Sequence, residues 1–159
     1  MNNPTYRRLL HIAVAAFLIP AISSCIDPAD SVTIFQDIPG QTMLRGQALE
    51  FSPDSAQLSK LPASPSRMVI HVRYNSDVSV ESLPLGILIE SYLQPARQDS
   101  ISLQLFRDKH PLGKGIHSVY TLSDTIPLNS FPEGWRVSLT SLSVYPVNGI
   151  NSLGISLLP

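Results

Sequence analysis

Cysteine is almost absent from this sequence of 159 residues, which contains only Cys25. A single cysteine cannot form a disulfide within the chain, and it cannot supply the clustered thiolates of a zinc site. Charged residues are also scarce, at 14% of the chain, and the formal net charge is −1. Proteins that bind nucleic acid present a basic patch or stripe, so this balance argues against a nucleic-acid partner.

Long helical stretches are missing as well. Fourteen prolines and eight glycines are spread along the chain. They interrupt any helical pattern longer than about two turns, because proline lacks an amide donor and clashes with the preceding turn. Beyond the N-terminal region, no stretch is long and apolar enough to span a bilayer. The composition therefore predicts one globular domain without an amphipathic or membrane-spanning helix.

The N-terminal region has the three parts of a secretory signal in order. Arginines occupy positions 7–8, an apolar run covers about 9–22, and small residues follow at 23–24. The apolar run is short for a bilayer and is interrupted by Pro20. A cleaved signal therefore fits this region better than a permanent transmembrane helix.

Cys25 follows the signal in the pattern Ile22-Ser23-Ser24-Cys25, which resembles the lipobox of bacterial lipoproteins. In a lipobox, small side chains let the backbone lie in a peptidase groove, beside a thiol that is alkylated and becomes the first residue after cleavage. We therefore expect a signal peptide over 1–24, a lipidated tether over 25–31 and the folded domain over 32–159. Each acyl methylene buried in a membrane contributes about 0.8 kcal/mol, so an acylated Cys25 would tether the chain firmly to membrane lipid. The alternative is a buried cysteine in an ordinary amphipathic helix.

Alternating apolar and polar residues predict strands over the rest of the chain. In the stretch that begins at Arg67, one face carries Met68, Ile70, Val72 and Tyr74, and the other carries Val69, His71 and Arg73. A similar pattern covers 32–35, 48–51, 85–93, 101–106, 116–122, 136–145 and 150–157. Turn-forming residues separate these stretches. The sequence therefore predicts an all-β fold, an antiparallel β-sandwich of jelly-roll type with about eight strands.

Glycines predict two tight turns. Gly113 and Gly115 permit the positive φ values that a hairpin entering the next strand needs. The dipeptide Asn148-Gly149 suits a hairpin between the last two predicted strands. The stretch 41–66 is rich in Ser, Pro and Gln, and it predicts a long excursion loop.

Patterns that would indicate catalysis or metal binding are weak. The sequence Gly113-Lys114-Gly115 lacks the spacing and the following Ser or Thr of a phosphate-binding loop, and no serine lies in a Gly-x-Ser-x-Gly elbow. Three histidines could bind a metal, but no carboxylate–histidine ligand pair accompanies them: His71, His110 and His117. Six acids could supply a catalytic pair, although turns and strand edges use acids for solubility: Asp77, Glu81, Glu90, Asp99, Asp108 and Asp124. We therefore expect no enzyme activity, no catalytic residue, no cofactor and no metal.

The aromatic residues leave a second interpretation open. Five of them could line a platform for sugars or could pack in a core: Tyr74, Tyr92, Tyr120, Trp135 and Tyr145. Trp135 shares the alternating face of Val137 and Leu139. This spacing predicts that Trp135 lies inside the sandwich, whereas a glycan-binding jelly roll would need exposed aromatics and an acid on one sheet.

Three long stretches, 69–90, 98–128 and 131–157, together resemble the GldH family of gliding-motility lipoproteins. The family has an arginine-bearing strand that ends in an Asn-rich corner, a leucine-rich strand, a Leu-Gly-x-Gly turn and a closing Gly-Ile strand. The corresponding pieces here follow in the same order and at matching spacing: Arg73 with Asn75, residues 83–89, Leu112-Gly113-Lys114-Gly115, and Gly149-Ile150-Asn151-Ser152-Leu153-Gly154.

This resemblance implies an envelope lipoprotein of the Bacteroidetes type that supports the gliding machinery or the associated protein-secretion apparatus, and it carries over no catalytic residue. Its partners would be membrane lipid, through acylated Cys25, and other envelope motility or secretion proteins. The anchor would lie in the inner or outer membrane, with the domain in the periplasm or at the cell surface. A glycan-binding lipoprotein remains the alternative.

Replacing the lipobox cysteine tests the tether. We expect Cys25→Ser to leave an unlipidated and uncleaved precursor, because serine offers no thiol for alkylation. Metabolic labelling with a fatty-acid analogue, followed by gel electrophoresis, measures both effects. Ser24→Ala keeps a small residue before the cysteine and should retain the label. Label on the Cys25→Ser variant would contradict the tether.

Overall fold

Thirteen strands build the part of the chain that the computed structural model describes, which comprises residues 32–54, 57, 65–91, 94–128 and 134–159. In chain order they are β1 (Thr33–Asp37), β2 (Thr42–Met43), β3 (Ala48–Phe51), β4 (Arg67–Asn75), β5 (Ser82–Glu90), β6 (Arg97–Gln104), β7 (Phe106–Arg107), β8 (His110–Pro111), β9 (Lys114–Ile116), β10 (Val119–Pro127), β11 (Arg136–Ser141), β12 (Val147–Asn148) and β13 (Ile150–Leu158). One turn of 3-10 helix, Pro39–Gln41, lies between β1 and β2.

Two sheets form the sandwich. The first sheet has the order β1-β13-β4-β10-β9, the second has the order β3-β11-β5-β6, and all neighbouring strands are antiparallel. Short ladders also join β2 to β12 and β7 to β8. Without β9 and the short ladders, eight strands remain, and their chain order is 1-8-3-6 in one sheet and 2-7-4-5 in the other. This is the strand order of a jelly roll, so the predicted fold is confirmed.

The two sheets share one hydrophobic core. The inward residues of β4 are completely buried, as the alternation predicted: Met68, Ile70, Val72 and Tyr74. They belong to the same cluster as the inward leucines and isoleucines of β5 and the inward residues of β11 and β13. Burying each such aliphatic side chain contributes about 1.5–3 kcal/mol, so this cluster holds the two layers together.

The predicted hairpin at Asn148-Gly149 is wrong. The strands β11 and β13 belong to different sheets, so the chain crosses from one layer to the other between them. The predicted strand 136–145 accordingly ends at Ser141. Residues 147–148 form β12 and pair with β2. The strand β2 lies inside the stretch 41–66, which was predicted to be an excursion loop.

Gly149 fixes this crossing. It has a φ of +85°, and an added Cβ would lie 2.8 Å from Cα of Val78. Its N–H donates to the carbonyl of Gln41 at 2.8 Å, and its own carbonyl accepts from the N–H of Asn75, also at 2.8 Å. The glycine therefore joins three loops where a larger residue would clash, and this role differs from a hairpin turn.

The turn predicted at Gly113 and Gly115 lies further along the chain than expected. The strand predicted over 116–122 begins instead at Val119, because His117 and Ser118 form the two-residue connection between β9 and β10. Their φ values, 51° and 66°, are those of a type I′ hairpin. Gly113 does have a positive φ, of +95°, and a Cβ there would lie 2.3 Å from the carbonyl oxygen of Thr121. This glycine therefore lets the chain pass close to β10 before β9 begins.

The sandwich has two distinct ends. At the proximal end, β1 begins at Thr33 opposite Ser156, and Arg67 donates to the carbonyl of Pro159 at 3.2 Å. At the distal end, β4 terminates at Asn75. The nine residues of β4 make eight steps and span about 27 Å at the usual rise per residue, which is the separation of the two ends.

Trp135 lies in the core, as its spacing predicted. Only 5% of its surface is exposed, and Val137 and Leu139 on the same face are completely buried. We expect Trp135→Ala to lower the free energy of unfolding by about 3–5 kcal/mol, out of a typical total of about 5–15 kcal/mol. Thermal or denaturant unfolding of the purified protein measures this loss.

The exposed Tyr145 provides the matched control for Trp135. We expect Tyr145→Ala to change the free energy of unfolding by less than about 0.5 kcal/mol, as surface substitutions usually do. In the native protein, the emission of Trp135 should be blue-shifted and poorly quenched by iodide. A readily quenched tryptophan whose removal leaves stability unchanged would contradict the core assignment.

Candidate functional site

The predicted lipidation residue, Cys25, lies outside the described residues, together with the rest of 1–31. The described part of the chain begins at Val32, at the proximal end. Within the described ranges, no helix is long and apolar enough to cross a bilayer. The lipid anchor at Cys25 therefore stays a prediction.

A histidine flanked by two serines lies on the outer face of the first sheet. The Nδ1 atom of His71 lies 2.7 Å from Oγ of Ser123, and its Nε2 atom lies 2.7 Å from Oγ of Ser156. Ser156 also lies 2.6 Å from Oγ1 of Thr33. The network joins β1, β13, β4 and β10, because His71 is opposite Gly154 on one side and Ser123 on the other.

The surroundings of His71 favour its neutral form. Burial lowers the pKa of His71 below its ordinary value, and the nearby Arg73 guanidinium lowers this pKa further. A neutral imidazole donates through one nitrogen and accepts at the other, so the two serine hydroxyls satisfy both. In a catalytic triad, one of these nitrogens would face a carboxylate. Both nitrogens of His71 face hydroxyls instead, which makes the network a cross-strand brace.

An aromatic ring and a cation lie beside this network. The Phe35 ring lies across Gly154, where an added Cβ would approach a ring carbon to 2.6 Å. The centroid of this ring is 5.7 Å from that of His71 and 3.8 Å from Cζ of Arg73. A guanidinium at this distance makes a cation–π interaction, which contributes about 0.5–1 kcal/mol at an exposed site. The predicted outward orientation of His71 and Arg73 is thereby confirmed.

A shallow cleft of about 420 Å³ continues along the same face of the sheet. Arg73 and Lys114 line it on either side of Thr121, which separates them in the register of β4, β10 and β9. Within the described ranges, the ion pairs are Arg97 with Asp99 and Arg136 with Glu50, so neither cleft cation lies within 4.0 Å of a described carboxylate. The cleft is therefore basic and open to solvent.

Tyr74 faces the interior from the same strand that carries His71. Its hydroxyl shares its single proton between the carbonyl of Leu105, at 2.7 Å, and the carbonyl of Leu112. The rings of Phe106 and Tyr120 lie 5.8 and 5.7 Å from its ring centre. Burial raises the pKa of Tyr74, so the hydroxyl stays protonated and can donate. These aromatics pack in the core and form no sugar platform.

A second cleft, of about 480 Å³, opens at the proximal end beside Trp135. Its wall includes Glu90 and Arg136, with Ser52 and Pro53 on the opposite side. An acid beside an aromatic edge is a combination found in sugar sites, but only 5% of the Trp135 surface is exposed. Tyr92 lies outside the described residues, whereas Tyr145 is exposed at the distal end.

The remaining candidate residues are dispersed. His110 opens β8 and His117 lies in the turn before β10, whereas His71 lies in the serine network. In the described part of the chain, no three His, Cys, Asp or Glu residues come together as a metal site would require. Asp99 forms the ion pair with Arg97, at 3.2 Å, and the carboxylate of Asp124 accepts from the N–H of Thr125.

No family model matches the chain, and no curated protein matches it. Among solved structures, the chain is similar to the structure of Eiger TNF from S. frugiperda, at 7% identity and a TM-score of 0.38, over 81% of this chain and 93% of that one. A likeness at this level supports no conclusion about function.

The His71 network generates a prediction about pH. Because the folded protein lowers the pKa of His71 below the unfolded value of about 6.5, the unfolded chain binds a proton first as the pH falls. The free energy of unfolding is therefore fully retained above that value and decreases as the pH falls from there towards the lower native pKa. We expect the melting temperature of the wild type to decrease over this window.

Two variants isolate the contribution of His71. His71→Gln removes the titrating group, so its melting temperature should depend less on pH than that of the wild type. His117→Gln, at an exposed turn, should keep the wild-type dependence. Equal pH dependence in the wild type and in His71→Gln would contradict the assignment.

Proposed function

We propose that this chain is a lipid-anchored, non-catalytic lipoprotein of a bacterial envelope, and that it acts as a scaffold or interaction component of the gliding machinery or of its associated protein-secretion apparatus. The observation that carries the proposal is the lipobox at 22–25, which follows a complete secretory signal. It precedes the described start of the domain, Val32, by only a few residues. A folded β-sandwich held close to a membrane by a short tether is an arrangement suited to assembly with other envelope proteins.

The contacts of the described polar residues support a non-catalytic role. Both nitrogens of His71 are occupied by serine hydroxyls, and Tyr74 donates to backbone carbonyls. Asp99 is paired with Arg97. These groups stabilise the sandwich. Their contacts do not connect a nucleophile, a base and an acid to one another as a catalytic triad does.

The motility or secretion role is supported by the resemblance to the GldH family over 69–90, 98–128 and 131–157. Within that pattern, Arg73 stacks on Phe35 and Asn75 donates to the side chain of Gln41 at 2.8 Å. Both residues therefore have a structural use in this sandwich. The anchor would lie in the inner or the outer membrane, with the domain in the periplasm or at the surface.

A glycan-binding lipoprotein is the second candidate function. The cleft that brings Glu90 and Arg136 to the edge of Trp135 favours it. The buried ring of Trp135 leaves little surface for a sugar to stack on, so the scaffold function ranks first.

Complementation tests the proposed function. In a strain that lacks this chain, the wild type and Ser24→Ala should restore surface spreading or the amount of secreted protein, whereas Cys25→Ser should restore neither, because it is not held at the membrane. Spreading on agar and quantitative proteomics of the culture medium measure the two activities. Full restoration by Cys25→Ser, or a deletion that alters neither activity, would contradict the proposal.

A further inference from the structure

The exposed apolar side chains gather at the distal end. In the described part of the chain, five large hydrophobic residues are exposed: Leu44, Ile116, Leu142, Val144 and Tyr145. All five lie in or beside the loops at the end where β4 terminates. Single exposed apolar residues are common on soluble proteins, but a group of them marks an interaction surface.

Four of these residues lie in two adjoining loops, and we name them the distal apolar patch: Leu44, Leu142, Val144 and Tyr145. The β2 and β12 ladder joins the two loops at one side. On the other side, the N–H of Gly46 donates to the carbonyl of Ser141 at 3.0 Å, and the N–H of Ser141 donates to the carbonyl of Gln47 at 3.1 Å. Ile116 lies apart from the patch, at the β9 edge of the first sheet.

Hydrogen bonds hold both loops in place. The N–H of Leu44 donates to Oε1 of Gln47 at 2.9 Å, and the N–H of Leu142 donates to the carbonyl of Pro84 at 3.0 Å. The hydroxyl of Ser143 donates to the carbonyl of Tyr145 at 2.8 Å. A surface that is already ordered loses less conformational entropy when it binds, so the patch is preorganised for a partner.

The position of the tether decides what can cover the patch. The proximal end, where the described domain begins at Val32, is about 27 Å from the distal end. From Cys25 to Val32, an extended chain reaches at most about 25 Å. For the patch to lie flat on the bilayer, the tether would have to reach across the full length of the domain. The same limit prevents the tether itself from covering the patch.

We infer that the distal apolar patch docks another envelope protein, through an apolar surface of that protein bordered by acidic side chains. This inference rests on the proposed lipid anchor. The acidic border follows from Arg45, which is exposed beside Leu44 and has no described carboxylate within 4.0 Å. Tyr145, which is 77% exposed, supplies the large amphipathic side chain that often dominates such interfaces.

A distance measurement tests the orientation. Because Cys25 is the only cysteine and would be acylated, Tyr145→Cys introduces a single reactive thiol into the lipidated mature chain. The variant is labelled with a fluorescent donor and placed in phosphatidylcholine and phosphatidylglycerol vesicles that carry an acceptor on the lipid headgroup. Pro159→Cys, at the proximal end, is the matched control.

We expect strong energy transfer to the bilayer from position 159 and the loss of most of that transfer at position 145. Equal or stronger transfer at position 145 would place the patch on the lipid and overturn the inference while leaving the anchor intact. If neither labelled chain associates with the vesicles, the proposed anchor is wrong, and the inference falls with it.

Binding to the partner is tested with variants of the patch. The lipidated chain is purified from native envelopes as the wild type, as the double variant Val144→Ser/Tyr145→Ser, and as Ile116→Ser, which removes an equally exposed side chain outside the patch. The emission of Trp135 verifies that each variant is folded. A protein that accompanies the wild type and Ile116→Ser is then identified by mass spectrometry and purified.

We expect this purified protein to bind the double variant at least about tenfold more weakly than the wild type, a difference of about 1.4 kcal/mol. The substitution Arg45→Glu should also weaken binding relative to the wild type when binding is measured at low salt. Equal affinity for the double variant, or a purified wild type that associates only with a second copy of itself through the patch, would overturn the inference.

Discussion

Each main strand of the sandwich pairs with the strand at the mirror position of the chain, as in one long antiparallel hairpin folded over on itself. The hairpin of β5 and β6 is innermost, and β4 with β10, β3 with β11 and β1 with β13 enclose it in turn. Successive pairs fall in alternate sheets, which produces the two layers. Because each strand reverses direction relative to its partner, all connections gather at two ends, and the rest of the structure depends on this nesting.

The nesting places β4 at the centre of the first sheet, between β13 and β10, and gives its two faces different roles. On the inner face, Tyr74 donates to the carbonyls of Leu105 and Leu112 and so links β4 to the loops that follow β6. On the outer face, His71 joins Ser123 to Ser156 across three strands. Tyr74 thus stabilises the core side of β4, and His71 stabilises its outer side.

The same nesting places the start of the described domain and the distal apolar patch at opposite ends of the sandwich. The described domain begins at the proximal end, and the distal apolar patch occupies loops at the distal end. These loops are short and hydrogen-bonded, so their apolar side chains are displayed without being free to collapse onto the core. A membrane tether at one end and a preorganised apolar surface at the other would let the domain bridge a bilayer and a protein about 27 Å away.

The sequence by itself determined which residues face inward, because a side-chain period of two is a local property of a strand. Met68, Ile70, Val72 and Trp135 are buried as the alternation predicted, and the all-β class and the approximate strand number follow from the same pattern and from the turns. The predicted signal and lipobox are also local patterns, and the location that they imply stays a prediction. The turns were less well determined, since His117 and Ser118 form a hairpin turn without glycine, and Gly149 serves a crossing between sheets.

Only the tertiary structure decided which strand lies beside which. A period of two identifies the buried face of a strand but carries no information about its partner, and most main pairs here join segments far apart in the chain. No pattern in the sequence predicted that His71 would contact Ser123 and Ser156, which are 52 and 85 residues further along the chain. Likewise, the distal apolar patch forms only because β2 pairs with β12 and brings Leu44 beside the loop at Tyr145. These surfaces exist through nonlocal backbone pairing, which is a property of the folded chain as a whole.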